Sequence, residues 1–203
     1  MGIYTTNLEK YTGSQKPPTK IYDKWLDLLA ETDVKTVVDI GCGQGHFTRM
    51  LSQNGYKSKG IDPSAEMIRE ARKNFPQETF IIASANEHDP TEELGILAFT
   101  VLPHLTARQI GHLFRKMAAG EYTQRLWFDY PKYVKQLKEQ AFDLGELKFE
   151  FHEQGDLSLE IHGEGLQLTM ITPKMIEAVA SAVGLNSKML AEDRLRYFQE
   201  VSI

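Results

Sequence analysis

The stretch that most constrains the fold is residues 37–47, with the sequence VVDIGCGQGHF. An apolar run ends at an acid, a loop with three glycines follows, and an amphipathic segment begins at Phe47. This succession predicts a buried parallel strand, a tight loop and the first turn of a helix. Such a loop lets a ligand approach bare backbone and directs helix N–H groups at it. The sequence therefore predicts a ligand site at the end of this strand.

Strand and helix patterns alternate through the first two thirds of the chain. The predicted strands cover residues 35–40, 58–61, 79–83, 94–101 and 124–130, and the predicted helices cover residues 19–31, 46–54, 64–74 and 106–117. Ser64 is expected to cap the third of these helices, and Thr106 to open the fourth. Alternation of this kind calls for an α/β fold with a parallel sheet and right-handed crossovers. At 203 residues, the chain is expected to form a single domain spanning 1–203. Residues 1–18 are expected to be either a frayed tail or a lid over the ligand.

The pattern changes after Pro131, where apolar and polar residues alternate in three successive segments. The apolar positions are Leu147, Phe149 and Phe151, then Leu157, Leu159 and Ile161, then Leu166, Leu168 and Met170. We expect an antiparallel β-meander over residues 145–171, inserted after the fifth strand, with one apolar face. It would cover the sheet edge beside the site, form a dimer contact or pack against the last helix. That helix, capped by Thr172, and two closing strands complete the predicted fold.

The turns of the meander give a predicted register. A three-residue first turn places Phe151 opposite Leu159, and a two-residue second turn with glycine first places Ile161 opposite Leu166. With this register, every apolar side chain of the meander falls on one face.

The acids around the glycine loop distinguish two classes of cofactor. The spacing Gly41-x-Gly43-x-Gly45 differs from the G-x-G-x-x-G of dinucleotide-binding proteins. Asp39, two residues before the first glycine, suits the ammonium group of an amino acid better than a pyrophosphate. Asp62, 19 residues beyond Gly43, is at the distance of an acid that accepts hydrogen bonds from ribose hydroxyls in either class. Asp39 and the spacing therefore favour S-adenosylmethionine over a nicotinamide or flavin dinucleotide.

Two motifs carry a resemblance to a known family. VVDIGCGQG (37–45) and GIDPSAEMIREAR (60–72) resemble the first two motifs of class I S-adenosylmethionine-dependent methyltransferases. The resemblance implies a three-layer, Rossmann-like fold, with a mostly parallel seven-stranded sheet and helices on both faces. It also implies S-adenosylmethionine as cofactor and S-adenosylhomocysteine as product. The expected cofactor-contacting positions are Asp39, Gly41, Cys42, Gly43, Gly45, Asp62, Pro63, Met67, Ser84, Ala85, Asn86 and Thr100.

The chain departs from the family pattern at two places. Members often carry an acid after the third strand, which accepts a hydrogen bond from the adenine amino group, whereas this chain has Ser84-Ala85-Asn86. The amide oxygen of Asn86 or a backbone carbonyl would then substitute. The fourth strand often begins with Asp, and Gly95 stands there instead. Cys42, the single cysteine, is expected to be a buried filler, not a nucleophile, and it excludes an intrachain disulfide.

The methyl acceptor is expected beyond the fourth and fifth strands, because ligands lie at the carboxyl ends of parallel strands. The residues there are Thr100, Pro103, His104, Asp129, Tyr130 and Tyr133. His104 is the best candidate for a general base, with a structural cap as the alternative role. Asp129 and Tyr130 would orient an amine or hydroxyl, or simply end their strand in solvent. The Asn-Pro-Pro-Tyr motif for planar amines is absent, and no histidine spacing indicates a metal site.

Composition limits the partners. The net charge of −5 lacks the basic surplus of a dedicated nucleic-acid binder. The sequence shows neither a secretory signal nor an apolar run of membrane-spanning length, so we expect a soluble cytoplasmic protein, monomeric or homodimeric. The predicted function is methyl transfer to a small-molecule acceptor. The alternatives are a nicotinamide-dependent oxidoreductase and a non-catalytic module that binds S-adenosylmethionine.

Overall fold

The structure is a computed structural model of the chain, and it describes residues 19–87, 94–97, 105–131, 150–153, 159–163, 166–192 and 196–203. Several predicted features lie outside these residues. They are the tail or lid of residues 1–18, the acceptor-site positions Thr100, Pro103, His104 and Tyr133, and the start of the meander at 145–149. No helix in the described part of the chain is long and apolar enough to cross a membrane.

The helices and strands follow the predicted order, with small differences at their ends. The described helices are α1 (Thr19–Ala30), α2 (His46–Gln53), α3 (Ala65–Asn74), α4 (Ala107–Ala118) and α5 (Pro173–Ser181). The described strands are β1 (Thr36–Ile40), β2 (Lys57–Asp62), β3 (Thr79–Ile82), β4 (Leu94–Leu97), β5 (Arg125–Pro131), β6 (Glu150–Glu153), β7 (Leu159–Gly163), β8 (Leu166–Met170), β9 (Asn186–Glu192) and β10 (Arg196–Ser202). The cap residues Ser64, Thr106 and Thr172 each accept a hydrogen bond from the third residue of the helix they begin, as predicted.

Seven of the described strands form one sheet in the order β3-β2-β1-β4-β5-β10-β9. The first five strands pair in parallel, while β10 is antiparallel to both β5 and β9. The predicted fold class, a mostly parallel seven-stranded sheet of the Rossmann-like kind, is confirmed. The strand order reverses between β1 and β4, and ligands of open α/β sheets bind at such a switch point.

Helices cover both faces of this sheet, because successive side chains of each strand point to opposite sides. Val37 of β1 packs with residues of α1 and α2, and Val38 packs with residues of α4 and α5. The same alternation continues along β5, where Trp127 packs on the face of the sheet that Val37 shares with α1 and α2, and Phe128 packs on the face that Val38 shares with α4 and α5. On the first face, the Trp127 ring stacks on Trp25 of α1, with 5.9 Å between ring centroids.

The meander forms a separate antiparallel sheet in the order β6-β7-β8, as expected, but its predicted register is wrong. Phe151 pairs with Ile161 instead of Leu159, and Ile161 pairs with Leu168 instead of Leu166. Both ladders are displaced by two residues. In the second ladder this is because Gly163 stays in its strand and pairs with Leu166. A displacement of two residues preserves the face on which each position lies, so the apolar positions still share one side of the sheet.

Candidate cofactor site

The loop after β1 is fastened to the neighbouring strand by backbone hydrogen bonds. The backbone N–H groups of Gly41 and Cys42 donate to the Ile61 carbonyl at 2.8 and 2.9 Å. Gly45 donates to the Cys42 carbonyl at 2.9 Å, which closes the turn before α2. Gly41, Gly43 and Gly45 all have positive φ angles, of 78°, 52° and 83°. The loop therefore has one defined shape at the carboxyl end of β1 and β2.

Gly43 and Gly45 meet different surroundings. A Cβ atom at Gly45 would lie 2.5 Å from Cζ of Phe80, so the close approach to β3 itself requires glycine. A Cβ atom at Gly43 would have no protein atom within 4 Å among the described residues. The outer side of the loop at Gly43 is therefore open to a ligand.

Asp62 joins the glycine loop to the start of α3. Its Oδ2 atom accepts a hydrogen bond from the Gly43 N–H at 3.0 Å, and its Oδ1 atom accepts one from the Ser64 N–H at 2.8 Å. Burial raises the pKa of the Asp62 carboxyl, while the hydrogen bonds from Ser64 and Gly43 lower it. Each carboxylate oxygen has two acceptor positions, so these two bonds leave capacity for the hydroxyls of a ligand.

Asp39 is a buried acid near the carboxyl end of β1, with 2% of its surface exposed. Its Oδ2 atom accepts a hydrogen bond of 2.6 Å from the Thr48 hydroxyl of α2. Burial raises the pKa of the Asp39 carboxyl to about 7, with Asp62 adding to the rise and Thr48 opposing it. A cationic ligand group beside this carboxyl would favour its charged form.

The segment after β3 lies against the same edge of the sheet. Ala83 donates its backbone N–H to the Asp62 carbonyl at 3.1 Å, which brings Ser84 and Ala85 next to the end of β2. The Oδ1 atom of Asn86 is buried and has no hydrogen-bond donor among the described residues. Asn86 also lines a cavity of about 440 Å³, together with Ser84, Glu87, Arg108, Gln109, His112 and Arg115. A buried acceptor without a donor is unfavourable, so a ligand N–H group would stabilise this position.

Three further expected cofactor positions, Pro63, Met67 and Cys42, lie close along the chain to Asp62 or within the glycine loop. Pro63 is exposed directly after Asp62, and Met67 is half-buried in the first turn of α3. Burial raises the pKa of the Cys42 thiol, and the Asp39 and Asp62 carboxylates raise it further. The thiol therefore stays protonated, which fits a filler better than a nucleophile.

Asp129 and Tyr130, expected at the acceptor, point to opposite faces of the sheet, and both are fully buried. Asp129 forms an ion pair with Arg196 of β10. The Tyr130 hydroxyl donates a 2.6 Å hydrogen bond to Oε1 of Gln199, and burial raises its pKa. Each side chain therefore has a structural partner within the protein. Their catalytic roles stay predictions, as does the role of His104 outside the described residues.

Sequence reasoning missed Tyr22 of α1 and Thr48 of α2. The Tyr22 ring stacks on Phe47, with centroids 4.8 Å apart. Burial raises the pKa of Tyr22, and Asp39 and Asp129 raise it further, so the phenol lies within electrostatic reach of both acids. Thr48 was detectable as a polar residue beside Phe47 on the helix face expected to be buried, whereas the neighbours of Tyr22 follow only from the fold.

Residues 37–120 match a sequence family described as a methyltransferase domain. The resemblance seen in the two motifs is confirmed: residues 37–120 match this methyltransferase domain, and the chain has the fold of class I S-adenosylmethionine-dependent methyltransferases.

The curated relatives include a trans-aconitate 2-methyltransferase from Afipia carboxidovorans, which is 36% identical over 104 residues. That match covers 46% of this chain and 38% of the relative. Less than half the length of that relative is therefore matched.

Two solved structures are similar over almost the whole chain. The PH0226 protein from Pyrococcus horikoshii has a TM-score of 0.68 and 18% identity, and the match covers 94% of this chain and 92% of that one. The magnesium protoporphyrin IX methyltransferase of Synechocystis with bound S-adenosylhomocysteine has a TM-score of 0.65 and 16% identity, covering 98% and 93%. At these identities, the similarity shows the shared fold.

Proposed function

We propose that the protein transfers the methyl group of S-adenosylmethionine to a small-molecule acceptor, with S-adenosylhomocysteine as the second product. The observation that carries this proposal is the arrangement of Asp39, the glycine loop and Asp62. The buried Asp39 and the half-buried Asp62 flank a loop with one open side, at the switch point of a methyltransferase fold.

The described residues fit the three parts of this cofactor. Asp39 would pair with the ammonium group, since a buried carboxylate favours a cationic neighbour. Asp62 would accept hydrogen bonds from the ribose hydroxyls through its remaining acceptor positions. Asn86 would accept from the adenine amino group through Oδ1, which lacks a donor among the described residues. This assignment explains why Asn86 can stand where other members of the family often have an acid.

The protein's part in the reaction is alignment and exclusion of water. The cofactor supplies a methyl group on a positively charged sulfur, which an acceptor attacks in line. The glycine loop and Asp39 would fix the methionine end at the carboxyl ends of β1 and β4. His104 would act as general base only where the acceptor must lose a proton. Asp129 and Tyr130 would shape the acceptor side through the partners they hold in β10.

The acceptor class is the least constrained part of the proposal. The relative from Afipia carboxidovorans is named for trans-aconitate, but the match covers only 38% of that relative. Trans-aconitate and other small carboxylic acids, amines and alcohols therefore form the first panel of acceptors. Incubation with methyl-labelled S-adenosylmethionine and each compound, followed by mass spectrometry, would detect the methylated product.

Two alternatives have distinct outcomes. Calorimetric titration with S-adenosylhomocysteine and with NADH tests the nicotinamide alternative, and tight binding of NADH alone would overturn the proposal. Binding of S-adenosylhomocysteine without label transfer to any acceptor would support a non-catalytic module. The glycine spacing and the family match support the methyltransferase.

We extend the proposal to a cytoplasmic protein that works without nucleic acid or membrane, as a monomer or homodimer. The net charge of −5 and the single cysteine support these expectations. Light scattering coupled to gel filtration would distinguish the two oligomeric states.

A further inference from the structure

Thr48 and Asp39 form a buried polar pair between α2 and β1. Thr48 is fully buried and Asp39 is 2% exposed, and the Thr48 hydroxyl donates to the Asp39 carboxylate at 2.6 Å. Hydrogen bonds to a charged acceptor are shorter and stronger than neutral ones. Such a bond in a buried place favours the charged form of the carboxylate and orients it.

The adjoining strand leaves room for this pair. Gly60 of β2 is the register partner of Asp39. A Cβ atom at Gly60 would lie 2.6 Å from the Thr48 hydroxyl oxygen and 2.8 Å from Cβ of Cys42. The hydroxyl of Ser58 donates to the Thr48 carbonyl at 3.1 Å, which anchors this turn of α2 to the same strand. The Thr48 hydroxyl is therefore positioned by α2, which carries it, and by the neighbouring strands β1 and β2.

The ionisable groups around Asp39 oppose its charge. Asp62 at the end of β2 raises the pKa of the Asp39 carboxyl, as burial does, whereas the side chain and backbone of Thr48 lower it. Tyr22 from α1 and Cys42 from the loop are the other ionisable neighbours, and Asp39 raises the pKa of each. The neighbouring strand β4 presents the apolar sequence LGIL. Thr48 is thus the group described here that favours the charged carboxylate.

We propose that Thr48 is a positioning residue for the methionine end of the cofactor: its hydroxyl holds the Asp39 carboxylate charged and oriented for the ligand's ammonium group. This inference rests on the proposed function, in which Asp39 contacts that ammonium group. Thr48 itself acts through Asp39 and does not touch the ligand.

The consequence is a pH dependence of cofactor binding that Thr48 controls. Only the charged carboxylate pairs with ammonium, so affinity falls about tenfold for each pH unit below the pKa of Asp39. Replacing the hydroxyl by a methyl group in Thr48→Val moves this fall to higher pH by about one unit, since a hydrogen bond to a charged group is lost. At pH 6.5, the variant binds S-adenosylhomocysteine about tenfold more weakly than the wild type.

The experiment measures S-adenosylhomocysteine affinity by calorimetry from about pH 5.5 to about pH 8.5 for the wild type, Thr48→Val, Thr48→Ser and Ser58→Ala. Thr48→Ser restores the hydroxyl and should restore the wild-type profile. Ser58→Ala perturbs the anchor of Thr48 without touching the carboxylate, so its midpoint should stay in place. A parallel loss of affinity at every pH, with no displaced midpoint in Thr48→Val, would overturn the proposal.

A second measurement separates this inference from the proposed function. Carbon-13 NMR of labelled aspartate carboxyls follows the Asp39 titration in ligand-free protein, with Asp39→Asn to assign the signal. An unchanged titration in Thr48→Val would overturn the inference even if the wild type binds S-adenosylhomocysteine. If the titration is displaced in Thr48→Val but the wild type binds no S-adenosylhomocysteine, the proposed function is overturned and, with it, the positioning role.

Discussion

Asp39 shows how one residue can oppose the stability of the fold while it occupies a position that we propose contacts a ligand. Its carboxyl has an ordinary pKa near 3.8 and a folded pKa of about 7, because burial disfavours the charge. The folded state therefore binds the proton more tightly than the unfolded state. The resulting penalty is absent below the ordinary value, grows as the pH rises above it, and is complete above the folded value.

Asp39→Asn should consequently stabilise the ligand-free protein at pH 8 and hardly at all at pH 4. We expect a gain on the order of 2 kcal/mol at pH 8, less than the full pKa difference implies, because the Thr48 hydroxyl loses a charged acceptor. The same variant should lose S-adenosylhomocysteine binding. Urea unfolding at the two pH values measures the first effect and calorimetry the second, and a pH-independent change in stability would contradict the assignment.

Asp62→Ala should weaken S-adenosylhomocysteine binding by on the order of 1–3 kcal/mol, through loss of hydrogen bonds to a charged acceptor. It also removes the acceptor for the Gly43 and Ser64 N–H groups, which hold the loop. Asp27→Ala, at an exposed site on α1, is the matched control and should bind normally. Unchanged affinity in Asp62→Ala would show that this acid does not hold the ribose.

At the scale of the element, the glycine loop combines a structural requirement at Gly45 with a proposed binding requirement at Gly43. Gly45→Ala places a Cβ atom against the Phe80 ring, at a φ angle of 83°. Gly43→Ala meets no described atom within 4 Å, at a φ angle of 52°. We expect a loss of stability of about 3 kcal/mol for Gly45→Ala and about 1 kcal/mol for Gly43→Ala.

Affinity for S-adenosylhomocysteine should rank the two variants in the opposite order, with the larger loss in Gly43→Ala. Gly43→Ala keeps the fold but puts a methyl group on the open side of the loop, so its affinity for S-adenosylhomocysteine should fall well beyond its loss of stability. Thermal unfolding with and without S-adenosylhomocysteine measures both quantities on each variant. Equal stability losses would mean that the contact with Phe80 is not what requires glycine at position 45.

The elements that could be predicted are those with a local physical signal. The glycine loop, the caps at Ser64 and Thr172, and the period-two pattern of the meander each depend on residues close together in sequence. The register of the meander was mispredicted, because an alternating pattern fits equally well after a displacement of two residues. Only the turns distinguish the two registers. At the turn between β7 and β8, Gly163 is compatible with being either the first residue of the turn, as predicted, or the last residue of β7, as observed.

At the scale of the whole molecule, the partners of Asp129 were beyond the reach of sequence reasoning. Asp129 lies at the carboxyl end of β5, where an acid is expected to face an acceptor. Its partner Arg196 is 67 residues away along the chain and reaches it only because β10 pairs with β5. The same strand pairing supplies Gln199 to Tyr130. Strand order is a property of the complete chain, so roles inferred for β5 alone missed these partners.

The ion pair between Asp129 and Arg196 should therefore matter for the joining of β5 to β10. Asp129→Ala leaves the Arg196 guanidinium, 14% exposed, without this carboxylate, and we expect a loss of about 3 kcal/mol. Arg196→Met should cost a similar amount, because it removes the cation that pairs with a fully buried carboxylate. The double variant Asp129→Leu with Arg196→Met replaces the pair by apolar groups and should recover most of the stability.

The double variant also separates a structural from a catalytic role of Asp129. With stability recovered, a purely structural pair predicts near-normal kcat and KM for methyl transfer, once an acceptor has been identified. A catalytic or orienting carboxylate predicts a low kcat in the double variant despite its normal unfolding curve. Chemical unfolding and steady-state kinetics on the same preparations distinguish the two roles. Non-additive effects of the two substitutions on stability would show that the side chains interact.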